Sequence, residues 1–485
     1  MTEVVPFELT PTPEVPAQAV AHEIRARSWA DEARALARLA GPIVLTQLAQ
    51  MAVITTDILM LGSYSKDALA SAAIGLPLFY AVWLLGFGQA VAVSPMIAHI
   101  LGDSPRNRAG VRACVRMGLW AAAMTAPFCV VALSFGTEVL LALGEPRDLS
   151  IAAGPFVQVL SIGIPFSLGF NVLRSFSTAL SHTRAPLIVS LLTIAFNAAG
   201  DYALIFGHFG APELGLFGAA IASACSYAFS FLAMVAIVLA SPALRVYRVF
   251  RRFFRPDWAK LREVFRLGIP TGLTIIFEGM FFNSGTLLMG TLGAAVVAAH
   301  SIALNVPSVT FMVPLGIATG ATVRVGLATG ARDHKGVQRA GLVALAMSAV
   351  FMTIAGIVLA IFPRAIAGLY IADTPVNAEV IRNAVIFLRV AAAFQLLDGL
   401  QVTTALVLRG MKDATAPMWI AGACYWLIGF PAALWFAFGL HLGGLGVWLA
   451  FALALFCAAA GLLLRFGYLS GLLPTRLLGR GAMPV

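Results

Sequence analysis

Charge is scarce in this chain: Asp, Glu, Lys and Arg make up 11% of its 485 residues, against 60% hydrophobic residues and a mean hydropathy of +0.91. A soluble domain of this length cannot be covered with so few charges, so a polytopic membrane protein is expected. Cysteine is also sparse. Cys114, Cys129, Cys225, Cys424 and Cys457 stand alone in apolar surroundings, without CxxC spacing or a nearby His. That argues against a disulfide framework or a zinc site. The seven His are scattered, and neither HExxH nor GxSxG occurs, so hydrolase chemistry has no anchor and no enzyme is expected. A P-loop is missing too, which removes an ATP-driven pump. Residues 1–38 are polar, with Pro6, Pro11, Pro13 and Pro16 and no apolar core of a cleavable signal. The first membrane helix is left to target the chain.

What is present is apolar sequence in lengths of about 20 residues, enough for a hydrocarbon core of about 30 Å. Such windows fall at 40–61, 72–98, 117–142, 151–173, 186–206, 215–239, 267–289, 297–323, 340–362, 381–408, 417–438 and 445–468. The fold class is therefore all-α, with twelve transmembrane helices. Basic residues test this count. With a cytoplasmic N-terminus, the inside segments hold 27 of the 32 Lys and Arg, and the outside ones only Lys66, Arg147, Arg364 and Arg382. Arg389 lies within the tenth span. Such one-sidedness follows the positive-inside rule and places both termini in the cytoplasm, as expected for a multi-pass protein of a bacterial inner membrane. The net charge of +10 is thereby assigned to topology and anionic lipid. Even the run Arg245, Arg248, Arg251, Arg252, Arg255 requires no nucleic acid.

The basic linker 241–266 divides the chain into lobes at 39–240 and 267–468, with polar tails at 1–38 and 469–485. An offset of 228 aligns 41–102 with 269–330 without a gap: Pro42 meets Pro270, Thr46 meets Thr274, Gly62 meets Gly290, Gly88 meets Gly316 and Gly102 meets Gly330. Two pseudo-symmetric six-helix lobes follow, related by an axis along the membrane normal. This is an arrangement of transporters whose site lies between rocking lobes. At one duplicated position the chemistry diverges, since Gln50 corresponds to Glu278.

Three acids sit inside the spans: Asp57, Glu278 and Asp398. Each carboxylate costs roughly 2.5 to 3.5 kcal/mol at a helix centre, so a function or a wet cavity is implied. Glu278 and Asp398 fall at similar depth, about 16 Å from the inner ends of the seventh and tenth spans. Two carboxylates there require a proton or a cation such as Na⁺, and a cationic substrate can compete for the same charge. Asp57 lies nearer the outer end of the first span. Asn197 and Asp201, one turn apart on the fifth, are placed to face it as a polar cluster. Phe281 and Phe394, beside the acids, are candidates for an aromatic wall against lipophilic cations. His300 in the eighth span reads as a packed polar residue.

The segments TTDILMLG (55–62), GIPFSLGFNVLRSFSTALSHTRAP (163–186), FNAAGDYALIFG (196–207), PTGLTIIFEGMFF (270–282), VPLGIATGATVRVG (313–326) and FQLLDGL with LRG (394–400, 408–410) together resemble the multidrug and toxic compound extrusion family, in its NorM-like branch. The resemblance spans about 35–470 and implies a two-lobe antiporter that exports cationic amphiphiles in exchange for Na⁺ or H⁺, with no other cofactor. It implies coupling roles for Asp57, Glu278 and Asp398, and places the fifth-helix motif on Asn197 and Asp201. A monomer bathed in lipid is expected. A flippase for a lipid-linked precursor would share the outline but needs several cavity bases, and Arg389 is the one base that the span assignment leaves within the membrane.

Overall fold

The computed structural model describes residues 28–473, and among them every regular element is helical. Eleven helices are long and apolar enough to cross a membrane, and a bent pair supplies a twelfth span. The first lobe comprises α1 (Trp29–Tyr64), α2 (Lys66–Asp103), α3 (Arg108–Ser134), α4 (Arg147–Ser161), α5 (Ile164–Ala179), α6 (Arg184–Phe206) and α7 (Gly215–Ala240). The second comprises α8 (Trp258–Thr291), α9 (Ala294–Gly330), α10 (His334–Ile361), α11 (Ala378–Gly410), α12 (Thr415–Gly439) and α13 (Gly444–Leu469). Exposed Val350, Ile354, Ile357 and Ile361 recur at helical spacing along α10. Such a stripe suits contact with lipid, not water.

Two departures from the sequence reading have local causes. α1 begins ten residues before residue 39, because the Ser28 side chain accepts from the Asp31 amide and caps the helix. The fourth span, expected as one helix over 151–173, is bent by 47° between α4 and α5. Pro165 stands at the start of α5, where it has no N–H to return to the preceding turn. Beyond the break α5 runs on to Ala179. Arg174, assigned from sequence to a loop, is therefore a helical residue.

The lobes meet where the duplicated glycines lie. A Cβ added to Gly88 would strike the backbone of Gly272, and one added to Gly316 would strike Val44. Positions 44 and 272 are themselves related by the offset of 228. Gly102 packs on Leu327 and Gly330, while Gly330 packs on His99. Every one of these pairs maps onto its counterpart under exchange of the lobes, which locates the pseudo-two-fold axis along this seam. Local geometry repeats as well. Thr46 donates to the Pro42 carbonyl and Thr274 to the Pro270 carbonyl, each at 2.8 Å.

All these approaches lie in the half of the bundle nearest the arginine-rich loops. The same end carries a His99 Nε2 contact of 2.9 Å to the Gly410 carbonyl oxygen. It also carries a bidentate ion pair in which Arg324 Nε and Nη2 donate to Glu32 at 2.8 and 2.6 Å. The Arg324 and Glu32 side chains are only 7% and 4% exposed. The seam is thus sealed at that end.

Candidate functional site: two buried acid clusters

Each lobe gathers polar groups in an otherwise apolar interior. In the first, the Ser223 hydroxyl on α7 donates to Asp57 Oδ2 at 2.8 Å. Asn197 and Asp201, fully buried on α6, turn toward the same carboxylate. Hydrogen-bond geometry is not reached there: Asp57 Oδ1, both polar side-chain atoms of Asn197 and both carboxylate oxygens of Asp201 have no partner. A buried polar group left unmade costs about 1–3 kcal/mol, so five such atoms in one place mark a position for an occupant. Four of the five are oxygens. The donor set fits a proton or a small hard cation, for which oxygen ligands are preferred.

The second cluster joins three helices. Glu278 comes from α8, Asp398 and Gln401 from α11, and Tyr425 from α12. The Gln401 side chain lies within hydrogen-bond reach of Glu278. Asp398 is close enough to feel the Glu278 charge, and Tyr425 is close enough to feel both acids. The Tyr425 hydroxyl and Gln401 Oε1 are buried without a partner. Tyr425 reaches the site from a π-helical stretch, Ala423–Gly429, with a second such stretch at Trp435–Gly439. Pro431, which cannot donate a backbone hydrogen bond, lies between them. Among the described residues, no Lys or Arg forms an ion pair with Asp57, Asp201, Glu278 or Asp398.

The aromatic wall is placed differently from the sequence expectation. Phe281 is buried, stacked on Tyr425 at 5.4 Å and edge-on to Phe451 at 5.2 Å. Phe394 is buried too, stacked on Trp448 at 5.6 Å. Both belong to the packed core of the second lobe and support the acids from behind, instead of presenting a free face to cargo. Met280, by contrast, is 49% exposed. His300 is a packed residue of this core, 3.1 Å from Thr286 Oγ1 and edge-on to Trp448.

Arg174 corrects the tally of membrane bases. Its Nη1 donates to Gln47 Oε1 at 3.0 Å and to Gln50 Oε1 at 2.8 Å, so a guanidinium is bonded to Gln50, the residue that mirrors Glu278. Gln47 stands one turn beyond Val44, the residue that meets Gly316 across the seam. Sequence reasoning missed Ser223, Gln401, Tyr425 and Arg174. Gln401 was within reach, since it follows Asp398 by three residues and shares its helix face. Ser223 and Tyr425 carry no local signal, because tertiary packing alone brings them to the acids.

The family pattern MatE matches residues 42–203 and 270–435. A protein of Rhizobium meliloti described as a probable multidrug resistance protein NorM is 41% identical over 443 residues, covering 91% of this chain and 94% of that one. A protein of Brucella suis with the same description is 38% identical over 443 residues, with the same coverage. Among solved structures, a MATE protein in a bent conformation superposes with a TM-score of 0.81 at 20% identity, covering 93% of this chain and 98% of its own. An outward-facing multidrug resistance MATE family transporter gives a TM-score of 0.80 at 20% identity, over 90% and 96%.

Proposed function

We propose, from the premise that the chain belongs to the MatE family and its NorM-like branch, that it is a multidrug efflux transporter working as a secondary antiporter. Its cargo is cationic and amphiphilic, and its coupling ion is H⁺ or Na⁺. One observation carries this reading: each lobe sets two carboxylates among its spans without a basic partner, and in the first lobe three of their oxygens have no hydrogen-bond partner. A site of that kind exists at low cost only when a cation or proton fills it.

The seam is sealed at the arginine-rich end, which the positive-inside rule assigns to the cytoplasm. The cleft between the lobes then faces outward, the state in which cargo leaves. Entry of the coupling ion neutralises Glu278 and Asp398 and weakens their hold on a cationic cargo. Antiport needs no more than this negative coupling, together with a restricted transition of the empty, two-lobed carrier. Both clusters lie in one chain, so a monomer in a bacterial inner membrane, with cytoplasmic termini, suffices. A flippase for a lipid-linked pyrophosphate would need several cleft cations, whereas the two clusters supply four acids and Arg174 is held by Gln47 and Gln50.

The test is ethidium efflux from de-energised cells carrying the wild type, Glu278→Gln or Asp398→Asn, with Na⁺ and pH gradients imposed separately. Efflux driven by one gradient and lost in both variants is expected, and it names the ion. Efflux unchanged in the variants would remove the carboxylate mechanism.

A further inference from the structure

We propose that the linker between the lobes builds a specific binding site for the phosphate headgroup of an anionic phospholipid from the adjoining leaflet. A groove of about 580 Å³ lies there, within the range of ordinary ligand sites, lined by Arg245, Arg248 and Arg251 together with Val238, Leu239 and Phe250. Its two surfaces match the two ends of a lipid. Leu239 is 56% exposed, and Leu232, two turns earlier on the same face of α7, is 60% exposed, so this side continues the lipid-facing surface of the span. The arginines supply planar donors suited to bidentate contact with phosphate oxygens.

The floor is held in place by side chains of α3. Arg112 Nε donates to the Tyr247 carbonyl at 2.9 Å, Arg116 Nη1 to the Arg252 carbonyl at 3.0 Å, and Trp120 Nε1 to the Phe253 carbonyl at 3.1 Å. Arg248 and Arg252 take positive φ of 47° and 57°, an unfavourable conformation that these tethers sustain. Arginines are thereby crowded together, and among the described residues no carboxylate pairs with them. Arg116 Nε is moreover buried without a partner. Solvated loop charge needs neither tethered backbone nor an apolar wall that opens toward the membrane, whereas a lipid headgroup uses both. This site is separate from the acid clusters and does not depend on the transport reading.

Native mass spectrometry of the full chain, released from micelles containing equal phosphatidylglycerol and phosphatidylcholine, tests the site. The wild type is expected to retain phosphatidylglycerol at least about tenfold over phosphatidylcholine, a difference of about 1.4 kcal/mol. The triple variant Arg245→Gln, Arg248→Gln, Arg251→Gln should lose that preference, and Val246→Trp, which fills the groove without changing charge, should lose it as well. An equal charge reduction at Arg106, Arg332 and Lys335 should leave it intact. Retention that survives both groove variants, or falls equally in the control, overturns the proposal. Displacement of the lipid by equimolar inorganic pyrophosphate would overturn it too, by assigning the groove to a soluble polyphosphate.

Discussion

Glu32→Gln is expected to open the sealed end of the seam. The substitution keeps the shape of the side chain and removes its charge, leaving the Arg324 guanidinium buried opposite a neutral amide. Both side chains are almost fully excluded from solvent, at 4% and 7% exposure, so solvent screening does not discount the effect. Breaking a buried pair from one side costs about 3–5 kcal/mol, because the surviving charge stays desolvated. The pair bridges the lobes, α1 to α9, so separating them rehydrates Arg324 and relieves most of that cost. Part of the relief is lost to water entering without full separation. A shift of at least about 1.4 kcal/mol toward the open seam, or tenfold in population, is the conservative expectation.

Spin labels at Arg106→Cys, on an exposed turn, and Lys335→Cys, in the exposed first turn of α10, flank the Gly102–Gly330 contact and read this directly by pulsed electron resonance. The five native cysteines are first replaced. The parent should give one short distance, and Glu32→Gln should add a longer component. The double variant Glu32→Gln with Arg324→Met, which removes the buried guanidinium, should return to the short distance. Identical distance distributions for the parent and Glu32→Gln would refute the argument.

The same labels test the glycine seam: Gly88→Val places a side chain against the Gly272 backbone, and since backbone cannot swing away, it should also populate the longer distance. Phe394→Ala should lower thermal stability strongly, by about 3–5 kcal/mol of core packing, whereas Met280→Ala should leave the melting temperature nearly unchanged and alter ethidium affinity. A stable Phe394→Ala protein with weakened ethidium binding would return that residue to the cargo wall. Gln50→Glu copies the second-lobe acid into the first, but Arg174 already holds Gln50 at 2.8 Å and would pair with the new carboxylate. Gln50→Glu is therefore expected to leave ethidium efflux lost in a Glu278→Gln background, and restored efflux would show that the acid is free of Arg174.

The span count and the two-lobe plan were legible in the sequence because they depend on averages over about 20 residues and on loop charge, which local packing does not alter. Finer features depend on single residues. The bend at Pro165 leaves hydropathy unchanged, so a hydropathy window passes over it, and Arg174 is misplaced in consequence. The orientation of Phe281 and Phe394 failed for a reason particular to membranes. Lipid and protein core are both apolar, so an apolar side chain beside an acid does not reveal which of the two it faces. Asp57, Asn197 and Asp201 were placed together correctly because a buried acid must avoid lipid, which leaves it only the lobe interior.

The duplicated contacts constrain how the seam can open. Gly88 on Gly272 and Gly316 on Val44 are one contact made twice, and Gly102 on Gly330 lies on the axis that relates them. A local gate in one lobe would break one member of each pair and leave its mate in a backbone-to-backbone approach too close to deform gradually. Packed interfaces of this kind have discrete arrangements, so the favoured motion separates all the pairs together as the lobes rock. The polar groups do not obey the same symmetry. Glu278 answers Gln50, and Arg174 has Gln47 and Gln50 as partners where the second lobe has Ile275 and Glu278. Duplication is thus retained where the chain must move as two equal bodies and has been lost where it must bind. An occupant of either cluster acts on the motion only through the lobe that holds it, so the two clusters can bias the same rocking step by different amounts.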